Sequence, residues 1–260
     1  MITGLDHVVI AVSDLSAGVA TYETLLNGRA SRAQTHDGIA SALIATSNVA
    51  VELIAPADVG VAAERLRAAL ADGEGLKSLV FGVSDIGRMH RRCERVGLAT
   101  DAVSEREAWR SFRAATDKTH GVRLFFIERR EQLAATSGSG LDHVVIRTAD
   151  PERAAALYGA RLGLDLRLDR EVAGRRLMFF RCGDAVIELA QDSAAGERDR
   201  LWGLSWRVEN ADAERGRLAA AGLNVSEVRK GMKPGTRVFT VRDRTCGVPT
   251  LMIEPSRKQD

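Results

Sequence analysis

An internal repeat constrains this chain more than any other feature of its sequence. Residues 4–10 read Gly-Leu-Asp-His-Val-Val-Ile, and residues 140–146 read the same seven letters, which sets an offset of 136 residues. The same offset carries Val51-Glu52-Leu53 onto Ile187-Glu188-Leu189. Self-similarity at a fixed period is the signature of a repeated structural module, so the first and third quarters of the chain should share one fold.

The second and fourth quarters also repeat each other. Residues 117–128 align with residues 243–254 at an offset of 126, sharing Asp-x-Thr-x-Gly-Val and a closing Ile-Glu. A Ser/Gly-rich stretch at 136–140 has the composition of a linker between two halves. We therefore predict two similar domains, 1–134 and 139–256. Their four modules are expected at 1–56, 75–130, 139–192 and 200–256.

Each quarter has the pattern of a βαβββ module. Residues 5–12 form a β-branched run typical of a strand, after which Ser13 or Asp14 is placed to cap a helix. Three further strand-like runs follow. An isolated module leaves one sheet face unburied, so modules should associate in pairs. The sequence thus predicts an α+β fold in which four βαβββ modules form two paired-sheet domains.

Charge and cysteine usage narrow the class of partner. The chain has 37 Lys and Arg against 35 acidic residues, scattered along its length, which argues against nucleic acid as a ligand. Three cysteines without paired spacing indicate reduced thiols, and the N-terminus has no secretory pattern, so we expect a cytoplasmic protein. No apolar run approaches the roughly 18 residues of a membrane span. A small molecule is the expected partner, and a homodimer is left open.

The motifs of the first half resemble a known superfamily. The Leu-Asp-His-Val-Val-Ile opening, a Tyr-x-x-Leu-Leu pattern and the strand Val-Glu-Leu-Ile-Ala-Pro are similar to those of vicinal oxygen chelate proteins, which include glyoxalases, bleomycin resistance proteins and extradiol dioxygenases. The resemblance covers nearly the whole chain, and the first half is similar in particular to methylmalonyl-CoA epimerase. It implies that paired modules hold a divalent metal (Ni, Co, Mn, Fe or Zn) in a cleft, on ligands from the first and last strand of each module.

The resemblance assigns the metal ligands only in part. His7 and Glu52 occupy the ligand positions of the first module, and His143 and Glu188 those of the third. The corresponding positions elsewhere hold residues that are not normal ligands: Ser78 and Phe125 in the second module, Gly203 and Leu251 in the fourth. If sequence neighbours pair, each cleft has one histidine and one carboxylate, which is an incomplete set. Pairing of the first module with the third would instead bring all four ligands together.

Two functions follow from this pattern. The leading hypothesis is a metal-assisted lyase or isomerase acting on a small oxygenated substrate, with Glu52 or Glu188 as the catalytic base. Extradiol ring cleavage is disfavoured, because two of its three ligand positions are Gly203 and Leu251. The alternative is a metal-free binding protein of the bleomycin-resistance type, in which His7 and His143 are structural and bond a backbone carbonyl or a nearby carboxylate.

Three basic residues are candidates for substrate binding. Arg110 and Arg237 occupy like positions in Arg-x-Phe strands, and an inward arginine can clamp a carboxylate or phosphate bidentately. Lys233 lies in a Gly-Met-Lys-Pro-Gly-Thr segment that has the composition of a loop over a cleft opening.

Overall fold

A computed structural model describes residues 1–136 and 138–256, so Ser137 of the predicted linker lies outside the described residues. The chain forms two eight-stranded sheets with helices, which confirms the predicted α+β fold of paired modules. No helix in the described ranges is long and apolar enough to cross a membrane.

The first sheet contains the first two modules. The first module comprises β1 (Ile2–Ala11), α1 (Leu15–Leu26), β2 (Gln34–His36), β3 (Ile39–Ile44) and β4 (Ala50–Pro56). After α2 (Val61–Leu70), the second comprises β5 (Gly75–Val83), α3 (Ile86–Arg95), β6 (Ser104–Glu105), β7 (Trp109–Arg113) and β8 (Arg123–Arg129). The strand order is β2-β3-β4-β1-β5-β8-β7-β6, with the opening strands of both modules side by side at the centre.

The second sheet repeats this arrangement. The third module comprises β9 (Gly140–Thr148), α4 (Pro151–Ala155) continued by a π-helical turn (Ala156–Arg161), β10 (Asp165–Val172), β11 (Arg175–Cys182) and β12 (Ala185–Gln191). The fourth comprises β13 (Arg200–Arg207), α5 (Ala211–Ala220), β14 (Arg229–Lys230), β15 (Arg237–Val241) and β16 (Thr250–Glu254). The order β10-β11-β12-β9-β13-β16-β15-β14 matches the first sheet strand for strand.

One capping device starts the helix of every module. The residue before each helix accepts a hydrogen bond from the backbone N–H three positions on, which satisfies one of the four orphan donors at a helix start. In the first module this residue is Asp14, so the choice between Ser13 and Asp14 is resolved. The equivalent caps are Asp85, Asp150 and Asn210. Because a cap fixes where a helix begins, it also fixes how far the preceding strand runs.

The repeated apolar positions are the core of the fold. The helix tyrosines Tyr22 and Tyr158, which are 136 residues apart, are both fully buried. The same holds for the strand pairs Ile10 with Ile146 and Leu53 with Leu189. Equal burial at equal offsets shows that these repeated apolar residues have the same role in both cores.

Two compact units can be distinguished in the chain. The first contains Met1–Val8, Lys77–Leu133 and His143–Trp202. Within it, Arg92 on α3 donates from Nε to the carbonyl of Arg161 at 2.9 Å. The second contains Val9–Leu76, Ala134–Asp142 and Gly203–Asp260. Within that unit, Tyr22 donates its hydroxyl to the carbonyl of Thr245 at 3.3 Å.

Candidate functional site

The register of the third module places its two candidate ligands on one face of the sheet. His143 on β9 pairs with Val186 on the parallel strand β12, and Glu188 lies two residues further along β12. Residues two apart on a strand point to the same face, so the histidine and the glutamate are diagonal neighbours.

The histidine and the glutamate of this module are in contact. His143 Nε2 lies 3.3 Å from Glu188 Oε2, and their side chains are only 15% and 10% exposed. Ile187 and Leu189 on either side of the glutamate are fully buried. Burying a carboxylate is costly unless it has a partner, and the imidazole supplies one. An acid–base pair on a largely dry strand face can hold and transfer a proton.

The histidine of the first module has a different environment. His7 Nδ1 lies 2.5 Å from Asp6 Oδ1, and Arg129 from β8 holds the same carboxylate with Nε and Nη2, both at 2.8 Å. All three side chains are buried, with exposures of 8%, 8% and 13% for His7, Asp6 and Arg129. Asp6 and Arg129 were not predicted as part of the site, because an arginine 123 residues away in sequence gives no local signal.

The charge of Asp6 is fixed by these contacts. Burial by itself raises the pKa of a carboxyl group, but the hydrogen bonds from His7 and Arg129 outweigh it and lower the Asp6 pKa to about 2. Asp6 is therefore ionised at neutral pH and acts only as an acceptor. A bidentate arginine on one side and an imidazole on the other give this carboxylate a fixed position.

Glu52 lies at the centre of β4, between the fully buried residues Val51 and Leu53. Its cross-strand partner on β3 is Leu43. In the strand order β4 neighbours β1, the strand of His7.

The candidate metal ligands do not form a complete set in the described residues. The first and third modules lie in different sheets, so the arrangement that would bring their ligands together within one sheet is not the one observed. No group of three or more His, Cys, Asp and Glu able to hold a metal occurs among residues 1–136 and 138–256. One histidine and one carboxylate per sheet do not fit the four-ligand centre that the family resemblance predicts.

The register also explains why the fourth module has no ligand on its first strand. Leu204 pairs with Thr250, which sets Gly203 opposite Pro249. A Cβ atom built on Gly203 would lie 2.7 Å from the Pro249 carbonyl oxygen, which is backbone and cannot rotate away. Position 203 is therefore restricted to glycine by close approach of two strands. In the second module the register gives Ser78 and Phe125 the same relation as His143 and Glu188.

The predicted substrate arginines lie at the ends of helices and strands. Arg110 donates to Glu128 at 2.7 Å, and Glu128 in turn accepts from the first backbone N–H of α3. Arg237 pairs with Asp212 at 2.7 Å and with Glu254 at 3.5 Å. Lys233 is exposed in a turn, where its carbonyl accepts from Thr236. A role of these three residues in substrate binding stays a prediction.

Comparison with known families identifies both halves. A model described as a glyoxalase-like domain matches residues 5–163. A second, described as the glyoxalase, bleomycin resistance protein and dioxygenase superfamily, matches residues 140–249. Among the curated proteins compared, none matches this chain.

Several solved structures share the fold. A triple mutant of 4-hydroxymandelate synthase from Streptomyces coelicolor superposes with a TM-score of 0.80 at 13% identity, covering 99% of this chain and 94% of that one. The 2,2',3-trihydroxybiphenyl 1,2-dioxygenase from Sphingomonas wittichii gives a TM-score of 0.72 at 13% identity, covering 99% and 92%. At these identities the likeness is one of fold.

A third structure is similar over half of the chain. Methylmalonyl-CoA epimerase from Mycobacterium tuberculosis is 30% identical, covering 50% of this chain and 90% of its own, with a TM-score of 0.45.

The glyoxalase-like model spans more than half of the 260 residues, and the second model covers most of the remainder. The protein is therefore a member of the glyoxalase-like family, within the vicinal oxygen chelate superfamily.

Proposed function

We propose that this protein is a lyase or isomerase that moves a proton at a carbon next to a carbonyl or carboxyl group of a small oxygenated molecule. The observation that carries the proposal is the contact between His143 and Glu188 at 3.3 Å on one strand face. A carboxylate and an imidazole in contact are the groups that general acid–base catalysis uses most often. Membership of the family supports this reaction class, because the family resemblance implies enolate chemistry in the cleft.

In this proposal Glu188 is the base. Its carboxylate takes the proton from the substrate carbon, and the electron pair of the broken C–H bond moves into the carbonyl group to give an enolate. His143 keeps the carboxylate oriented through Nε2. Return of the proton from the Glu188 carboxyl group to another carbon of the delocalised anion, on the same face, completes an isomerisation, whereas loss of a β-substituent with its bonding electron pair completes an elimination. The Glu188 side chain is 10% exposed, so its carboxylate is largely desolvated while solvent can still exchange the captured proton.

A divalent metal is implied by the family, and when bound it would stabilise an enolate as a Lewis acid. The donor set in the described residues does not fit a four-ligand centre, so no step of the proposed reaction is assigned to a metal. A metal-assisted form of the reaction is tested by measuring the metal content of the purified protein. Titration with Ni, Co, Mn and Zn then measures how tightly each metal binds. Stoichiometric, tight metal would require additional ligands beyond one histidine and one glutamate per sheet.

The test of the proposal is deuterium exchange at carbon, followed by proton NMR in D2O with a panel of small 2-oxo acids and 2-substituted thioesters. We expect Glu188→Gln to slow exchange by about a hundredfold or more, the usual contribution of a general base. His143→Gln should slow it less. Glu197→Gln removes an exposed charge of the same compact unit and should leave the rate unchanged. Full exchange in Glu188→Gln contradicts the assignment of the base.

A second candidate is a metal-free binding protein, which the apolar residues Phe125 and Leu251 at two ligand positions favour. Binding proteins hold a ligand without bond changes. A compound that binds stoichiometrically, is recovered unchanged and undergoes no exchange would support this candidate over the enzyme.

A further inference from the structure

Arg170 on strand β10 lies on the same face of the second sheet as Glu188. In the antiparallel pairing Arg170 is opposite Leu177 on β11, and Leu177 is opposite Ala190 on β12. Ala190 is two residues beyond Glu188 on the same strand, so it points to the same face. The register therefore places the guanidinium and the carboxylate on one surface, separated by the single strand β11.

The residue between them is aromatic. Phe179 on β11 is the cross-strand partner of Glu188, and the Arg170 guanidinium lies over its ring, 5.8 Å from the centroid. A guanidinium over an aromatic face is held flat and partly desolvated, which strengthens its interaction with an anion. Phe179 thus directs the Arg170 side chain along the sheet surface towards the strand of Glu188.

Arg170 differs from Arg147 and Arg176, which also lie on the second sheet, in its electrostatic partners. Arg147 lies 3.2 Å from Asp192, and Arg176 pairs with Asp169 at 2.6 Å and also with Glu152. For Arg170 the structure gives no carboxylate partner within the described ranges, and its buried Nε has no hydrogen-bond partner there. A buried donor left unsatisfied is costly, so its persistence favours a ligand that supplies an acceptor.

We propose that Arg170 binds the carboxylate of the substrate and that this substrate is a small 2-oxo monocarboxylate whose reacting carbon lies next to the keto group. The inference rests on the proposed function, because it takes Glu188 as the reacting base. Two strand spacings of about 4.8 Å and an offset of two residues along the strand separate the backbones of Arg170 and Glu188. Both long side chains lie on one face, so a small molecule can bridge their charged ends. Glu188 repels a second anionic group at the reacting end, which selects a monoanion.

The residue equivalent to Arg170 in the first half is not an arginine, so this arrangement belongs to the second half. Position 170 corresponds to Gln34 at the offset of 136 residues, and Gln34 is an exposed, uncharged side chain on β2. An amide can bond a carboxylate but adds no charge to hold it. We therefore assign the anionic substrate to the second sheet.

Isothermal titration calorimetry with pyruvate as the probe tests the assignment, with pyruvamide and inorganic phosphate as comparison ligands. Pyruvate should bind the wild-type protein and pyruvamide should not, because only pyruvate has a carboxylate. Arg170→Gln should weaken pyruvate binding at least tenfold, as expected for loss of a charge-assisted hydrogen bond. Arg170→Lys should retain part of the affinity, because it keeps the charge and loses the planar fork.

The matched control is Arg175→Gln, which removes the same charge from an exposed arginine at the turn between β10 and β11. It should bind pyruvate as the wild type does, and thermal melting should show that both glutamine variants remain folded. Equal pyruvate affinity of Arg170→Gln and wild type overturns the proposal, as does an absence of pyruvate binding at millimolar concentrations. Phosphate binding with pyruvate ignored would overturn the carboxylate assignment.

Failure of this inference and failure of the proposed function are separable. Calorimetry needs no turnover, and Glu188→Gln should still bind pyruvate through Arg170. Binding that depends on Arg170 without any carbon exchange contradicts the proposed reaction alone. Exchange that depends on Glu188 but not on Arg170 contradicts the substrate assignment alone.

Discussion

At the scale of single residues, the family resemblance indicated candidate ligand positions, and the sequence did not indicate which residues surround them. His143 and Glu188 were predicted as a pair, because duplication displays the same two letters at one offset, and the structure brings them to 3.3 Å. Asp6 was not predicted as a site residue, because an aspartate in a strand does not by itself indicate a buried ion pair. Arg129 and Arg170 act through contacts across strands, and the linear pattern does not encode which arginine faces which strand.

The buried Asp6 carboxylate leads to a stability prediction. Asp6→Asn removes the negative charge between His7 and Arg129, so we expect the free energy of unfolding at pH 7 to fall by about 3 kcal/mol, as for other broken buried ion pairs. Urea denaturation measures this change. Asp101→Asn is the control, because Asp101 is 58% exposed beside Arg113 and its ion pair should contribute less than about 1 kcal/mol. Equal losses in both variants would contradict a special role of Asp6.

The Asp6 carboxylate also makes the free energy of unfolding depend on pH in acid. The folded-state pKa of Asp6 is lowered to about 2, below its ordinary value of 3.8, so its stabilising contribution is present above pH 4 and is lost as the pH falls through 2. A shift of this size corresponds to about 2 kcal/mol. The stability gap between wild type and Asp6→Asn should therefore narrow by roughly that amount between pH 5 and pH 2. A constant gap over this range would show that Asp6 does not titrate as described.

At the scale of elements, local signals predicted most strands and all four module helices. The helix caps and the β-branched runs are short-range features, and they predicted the strand–helix–strand order correctly. Helix α2 (Val61–Leu70) was not predicted, because it follows the first module and has no counterpart in the repeat. The sequence pattern also did not predict the division of the chain into compact units. That division depends on contacts between quarters that are far apart in sequence.

Gly203 gives a prediction about a single strand. Gly203→Ala places a Cβ atom against the Pro249 carbonyl, so β13 or β16 must shift and we expect a loss of about 1–3 kcal/mol in the free energy of unfolding. Gly216→Ala is the matched control in helix α5, where an added Cβ has no neighbour within 4 Å. That variant should gain about 0.5–1 kcal/mol from reduced chain entropy. Opposite signs in thermal melts are the expected result, and a neutral Gly203→Ala would contradict the close approach.

At the scale of the whole molecule, each sheet is formed by one half of the sequence, while each compact unit takes its segments from both halves. In the first unit the backbone N–H of Asp199 donates to the carbonyl of His120 at 2.7 Å. In the second, Arg217 on α5 donates to the carbonyl of Thr24 at 2.8 Å. The halves are thus similar in sequence yet bonded to each other within both units.

This organisation predicts that the two halves will associate when they are expressed as separate chains. Residues 1–136 and 138–260, with a purification tag on one, should copurify as a one-to-one complex, because the hydrogen bonds and buried surfaces of each unit join them. Size-exclusion chromatography measures the complex. Arg92→Ala and Arg217→Ala, which remove two of the joining side chains, should weaken it. Two halves that purify as separate stable monomers would contradict the prediction.

The close approach of Pro249 to Gly203 also restricts what descendants of this sequence can become. The Cβ atom of a histidine at that position would lie 2.7 Å from the Pro249 carbonyl oxygen, so a ligand at position 203 requires a shift of strand β13 or β16. The strand itself would have to move first, and that movement would cost stability before it gave any new chemistry. Side chains with new chemistry are therefore accommodated more readily at positions of the second sheet where the strands do not approach so closely.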